Sequence, residues 1–188
     1  MIIIIDNYDS FTQNLVQQVG DLKFSIKTFR NDEISLNEII KINPTHILLS
    51  PGPGRPENSG ICLEIVSSYA SKIPILGVCL GHQSIGYVYG TKIKQLKTPM
   101  HGKTSEIFHN QQNLFKKVNN PFKAVRYHSL IIDEESMHNN LIKTAWTKDG
   151  LIMACKHRQY EMLQGIQFHP ESLWTESGKI IVKNFLSF

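Results

Sequence analysis

The chain opens on Met1-Ile2-Ile3-Ile4-Ile5, a run with no polar position in it. β-Branched residues favour extended backbone, and a strand without alternation has no face to give to water. Such a strand has to be covered on both sides, which calls for a sheet held between two layers of helices. The residues that follow keep to that demand. Ser10 and Gln13 have capping-box spacing, which predicts a helix ending near Gly20. Phe24–Phe29 reads as a strand, and Ser35 with Glu38 as a second capping box for a helix to about Ile42. His46–Leu49 is a third strand, Ile61–Ala70 a helix, Ile75–Val78 a fourth strand, and Leu80–Tyr89 a helix stopped by Gly90. This alternation predicts an α/β chain: an open, mostly parallel, doubly wound sheet flanked by helices.

The second half has a different rhythm. Short β-like runs occur at Lys92–Gln95, Thr104–Phe108, Ala124–Tyr127, Ile142–Thr147, Leu151–His157 and Leu163–Phe168. Asn119-Asn120-Pro121 and Lys148-Asp149-Gly150 punctuate them, the latter as a hairpin turn. They predict a smaller mixed or antiparallel sheet, followed by an amphipathic helix over Ser177–Leu186. At 188 residues, the whole of 1–188 suits one domain.

Composition narrows the classes of function. The chain is 41% hydrophobic with a net charge of +4, and its longest basic cluster is Lys116-Lys117. That is too little for a nucleic-acid surface. No apolar run is long enough to span a bilayer, and Met1–Ile5 has no basic flank or cleavage site of a signal peptide. Cys62, Cys79 and Cys155 are an odd number without close spacing, which disfavours a disulfide framework and a zinc site and fits a reducing compartment. No metal site is expected.

Gly77-Val78-Cys79-Leu80-Gly81 places a cysteine between two glycines where a strand gives way to a helix. That is the layout of a nucleophile elbow. At so tight a corner, side chains at the flanking positions would strike neighbouring backbone, and glycine removes the collision. The helix start beyond Cys79 favours a thiolate, and the Leu80 N–H would face a developing oxyanion. A small buried core thiol is the competing explanation for this segment taken alone. A thiolate nucleophile also needs an imidazole with a partner to orient it. In "GIQFHPES", His169 and Glu171 lie two apart after a β-like run, so both reach one face while the chain stays extended. Glu171 could then fix the tautomer of His169. The third segment, Ser50-Pro51-Gly52-Pro53-Gly54, is neither a P-loop nor a dinucleotide fingerprint. Its prolines stiffen it and its glycines let backbone amides approach a ligand.

Together, "LLSPGPGRP", "GVCLGHQSIG" and "GIQFHPES" resemble the class I glutamine amidotransferases of the Cys-His-Glu type, over nearly the whole chain and in the family's order. "IIDNYDSFTQNLVQ", "HGKTSEI", "RYHSL" and "NFL" are similar, more narrowly, to the small subunits of anthranilate synthase and aminodeoxychorismate synthase. The resemblance implies a flavodoxin-like fold and a set of roles. Cys79 would attack glutamine, His169 would move protons, and Glu171 would orient His169. Amides of Gly52 and Leu80 would form the oxyanion hole. Gly52, Pro53, Gly54, Gln83, Ser129 and Leu130 would bind glutamine. It implies no cofactor in this chain. The partner would be a large chorismate-binding subunit holding magnesium, in a heterodimer or heterotetramer that uses the ammonia for tryptophan synthesis. Alternatives are the same role in folate synthesis, service to both pathways, a stand-alone cysteine hydrolase of γ-glutamyl compounds, and a binding module without chemistry.

The Asp6–Phe11 loop and Met100–Ile107 are candidates for the partner-facing surface, a solvated loop and edge strand being the other explanation. Cys62, Cys155, Trp146 and Trp174 are expected to be packing residues, and His82 and His128 to support the site. Bacterial cytosol or plastid stroma are the expected compartments.

Overall fold

A computed structural model of the chain describes residues 1–96 and 98–188. The first half runs β1 (Ile2–Asp6), α1 (Thr12–Gly20), β2 (Ile26–Arg30), α2 (Leu36–Ile42), β3 (His46–Leu49), α3 (Ile61–Tyr69), β4 (Ile75–Val78) and α4 (Leu80–Val88). The second half adds β5 (Ile93–Gln95), β6 (Lys103–His109), β7 (Phe122–Arg126), β8 (Leu130–Ile132), β9 (Leu141–Thr147), β10 (Ile152–His157), β11 (Leu163–Ile166) and α5 (Gly178–Phe185).

Among the described residues, nine strands form one open sheet in the order β2-β1-β3-β4-β11-β10-β9-β6-β7. The pairs from β2 through β11 are parallel, and those from β11 through β7 are antiparallel. The expected small antiparallel sheet is the β5–β8 ribbon. The other second-half strands extend the main sheet instead of forming a separate layer.

The isoleucine run does what its composition demands. Ile2 and Ile4 pack on one face with Leu15 and Val19 of α1 and Val182 and Phe185 of α5. Ile3 and Ile5 pack on the other with Ile39 of α2 and Cys62, Ile65 and Val66 of α3. None of the four is exposed, and each contributes roughly 1.5–3 kcal/mol by leaving water.

The Ser35–Glu38 capping box at α2 forms as predicted, with the Ser35 side chain accepting from the Glu38 N–H. Ser10 does not cap α1. That helix starts at Thr12 without a side-chain cap, because the Asp9 carboxylate takes the Phe11 N–H at 2.8 Å and so fixes the turn one residue later. Strand β11 also ends before Phe168, where its parallel neighbour β4 turns away at Cys79. Strand β6 pairs with β7 along Lys103–Ile107 but with β9 only from Ile107 to His109, so Lys103–Glu106 keeps one free strand edge. Trp174 is not a packing residue: it is 74% exposed, and Leu173 beside it 98%.

Candidate active site

Cys79 stands where β4 meets α4, in the left-handed region at φ 52°. Only a residue held from several sides keeps that conformation. Its N–H donates to the Ile166 carbonyl of β11 at 2.8 Å, and its carbonyl accepts from Gln83 at 3.0 Å as the first bond of α4. The glycine argument holds in atomic detail. A Cβ on Gly77 would lie 2.4 Å from the Gly81 carbonyl, and one on Gly81 would lie 2.5 Å from the Leu49 oxygen. The corner closes only because both side chains are missing.

His169 lies three residues beyond the end of the neighbouring strand β11. Its N–H donates to the Val125 carbonyl at 3.1 Å, and its own carbonyl accepts from the Thr175 hydroxyl at 2.6 Å. Its Nδ1 lies 2.6 Å from Glu171 Oε1, with both side chains almost fully buried. Burial alone would push the imidazole down. Hydrogen bonding and charge from Cys79 and Glu171 outweigh it and raise the group to about 10. At neutral pH that favours the imidazolium form of His169. Burial lifts the Cys62 and Cys155 thiols to about 12, so both stay protonated. Their place in the core is the one the sequence predicts.

The Ser50–Gly54 loop is clamped to this corner. Asn7 donates its N–H to Ser50 Oγ and its side-chain amide to the Ser50 carbonyl, both at 2.8 Å. A Cβ on Gly52 would lie 2.5 Å from Asn7 Cβ and 2.9 Å from Leu80 Cδ2. Gly52 is thus pressed between the loop after β1 and the first residue of α4, which brings the two expected oxyanion donors, Gly52 and Leu80, to one place. Pro53 and Gly54 follow it, Gly54 at φ 81°. Gln83, one turn into α4, donates to the Leu130 carbonyl at 3.0 Å, which ties the Ser129-Leu130 pair to the helix bearing the nucleophile. His128 donates to the same carbonyl at 3.1 Å, and His82 lies beneath the corner against Cys155. Burial pushes both imidazoles down to about 3, so they are neutral supports of the site.

Three further residues border the site; sequence places Phe11 in the candidate partner-facing loop and gives Tyr127 and Gln167 no role. Tyr127 and Phe11 stack on each other at 5.3 Å and meet the His169 ring edge-on at 5.1 and 6.1 Å. They wall a cavity of about 190 Å³ that His169, Glu171, Leu173 and Trp174 also line. Gln167 is the third, with its amide nitrogen 3.5 Å from Cys79 Sγ. The aromatic content of "DNYDSF" and "RYHSL" was a visible signal for the first two. Nothing local marked the third.

The family model described as glutamine amidotransferase class-I matches residues 3–187. The chain belongs to this family. A relative named anthranilate synthase component 2, from Pyropia yezoensis, is 56% identical over 188 residues, covering all of both chains. One named aminodeoxychorismate/anthranilate synthase component 2, from Bacillus subtilis (strain 168), is 47% identical, covering 99% of this chain and 95% of its own. Among solved structures, a putative GMP synthase component from Thermoplasma acidophilum superposes with a TM-score of 0.87 at 23% identity, covering 99% of this chain and 92% of that one. That likeness shows the amidotransferase fold.

Proposed function

We propose that this chain is the glutamine-hydrolysing subunit of an anthranilate synthase, supplying ammonia to a large chorismate-binding partner in tryptophan biosynthesis. The observation that carries the chemistry is the His169–Glu171 pair at the end of β11, beside a left-handed Cys79 at the end of the adjacent β4. The names of full-length relatives support the acceptor.

The residues supply each step. His169 takes the Cys79 proton and is held as imidazolium by Glu171. The thiolate attacks the side-chain amide carbon of glutamine. Backbone N–H groups of Gly52 and Leu80 take the charge on the former carbonyl oxygen, each worth roughly a hundred- to a thousand-fold in rate. His169 then protonates the departing nitrogen, ammonia leaves, and a γ-glutamyl thioester remains. Water, deprotonated by His169, cleaves the thioester to glutamate and restores the thiol. Gly52, Pro53, Gly54, Gln83, Ser129 and Leu130 hold the glutamine. These steps use no metal, and magnesium belongs with the partner's chorismate chemistry. Phe11, Leu173 and Trp174, apolar and exposed around the cavity on the His169–Glu171 side, are suited to contact that partner. Service to folate synthesis as well is a second reading, favoured by the dual name of the Bacillus relative. The compartment it implies is the bacterial cytosol or the plastid stroma.

The test is Cys79→Ser in the assembled complex. Glutamine-dependent product formation is expected to vanish while ammonia-dependent formation persists. Equal loss of both would refute an ammonia-supply role. Rapid cleavage of γ-glutamyl peptides by the chain alone would point to a stand-alone hydrolase.

A further inference from the structure

Gln167 is wholly buried between Cys79 and Gln83, and the steps above give it no part. Its Nε2 lies 3.5 Å from Cys79 Sγ, and its Oε1 lies 3.1 Å from Gln83 Nε2. A terminal amide can be turned end for end, so the end that faces the sulfur needs an independent argument. The Leu130 carbonyl supplies it. A carbonyl only accepts, so the amide end of Gln83 that lies 3.0 Å from it is the nitrogen. The same nitrogen faces Gln167, which answers with its oxygen. The NH2 of Gln167 is then left towards Cys79. One backbone carbonyl thereby sets the direction of two successive amides, and neutral His128 braces that carbonyl from its other side.

We propose that Gln167 is a further catalytic residue of this site, donating an N–H to the Cys79 sulfur and stabilising the thiolate ahead of attack. A donor binds an ionised acceptor about twice as strongly as a neutral one, so the contact favours S⁻ over S–H. It acts from the side of β11, alongside the charge of His169, and fixes the sulfur's aim in the same contact. The inference rests on the hydrolytic reading of Cys79. Other ionisable groups that bear on this site are His169 and Glu171 beyond β11, Asp9 in the loop after β1, His82 on α4, Arg126 at the end of β7 and His128 beyond it. Substituting Gln167 leaves all of them in place.

Two substitutions separate the donor from the packing. Gln167→Glu keeps an acceptor for Gln83 but offers no donor to sulfur once ionised. Gln167→Met has similar length, no donor and no charge. The measurement is the pH dependence of Cys79 alkylation by iodoacetamide in the full chain, with the modified peptide identified by mass spectrometry and folding followed by circular dichroism. The alkylation midpoint is expected to rise by about one pH unit or more in both variants, and further in Gln167→Glu. Glutamine hydrolysis in the assembled complex should fall through kcat, with KM changed little. An unmoved midpoint in folded Gln167→Met overturns the proposal. Should Gln167→Glu not fold, Gln167→Met decides alone. Shifted midpoints in a chain that hydrolyses no glutamine, even when assembled, would sink the hydrolytic reading and leave the amide–sulfur contact standing.

Discussion

His169 sits under opposed influences. Burial disfavours its charge, while Cys79 and Glu171 favour it more strongly, and the group ends near 10. Glu171→Gln removes one of the two supports. The alkaline limb of glutamine hydrolysis is then expected to move to lower pH, with kcat reduced by up to about a hundredfold. A pH–rate profile measures both, and an unmoved limb would mean that Glu171 does not support the imidazolium. At this scale the sequence revealed what is chemically scarce. A cysteine between glycines and a His-Pro-Glu at a strand end are unusual enough to stand out. Gln167 is in plain sight within "GIQFHPES", but its use depends on Gln83 and Cys79 arriving from another part of the chain. Asn7 was hidden for the same reason: its partners, Ser50 and Gly52, come from a different loop.

The strand-to-helix corner is an element whose shape is set by absent atoms. Gly81→Ala would place a methyl 2.5 Å from the Leu49 oxygen, so either α4 or β3 has to shift. A loss of about 1–3 kcal/mol is expected, measured by chemical denaturation, with glutamine hydrolysis falling as Cys79 moves off line. An alanine tolerated without loss of stability would mean that the corner is slack. Helix starts show what local patterns miss. Ser35 and Glu38 formed the box their spacing suggests because nothing nearer competed. Ser10 had the same spacing, but the Asp9 carboxylate reached the Phe11 N–H first. Alternation in the second half identified strands well and their neighbours poorly. Period-two patterning says that a segment is extended and half-covered, not which edge it will join. That is why β6, β7, β9 and β10 extend the large sheet although their sequences read equally well as a sheet of their own.

For the molecule as a whole, buried neutral histidines set the response to acid. His82 and His128 have folded values near 3 and an ordinary unfolded value of about 6.5. Between these limits the unfolded chain binds more protons than the native one. The stability they permit is therefore complete above about pH 6.5 and is lost progressively as pH falls towards 3. His128→Gln should flatten that decline, seen as a smaller change in urea midpoint between pH 7 and pH 4. An equally steep decline would assign acid lability to other groups.

Cys79 donates its N–H to Ile166, and β4 runs beside β11 in register, with Val78 opposite Ile166. The spacing of sulfur and imidazole is therefore measured out by the rungs of a ladder, not by the long excursion of polypeptide that separates them in the chain. That excursion is free to drift. Loops within it can grow, shrink or be exchanged among relatives while the reacting atoms keep their distance, so the surface facing a companion protein can be retailored without touching the chemistry underneath.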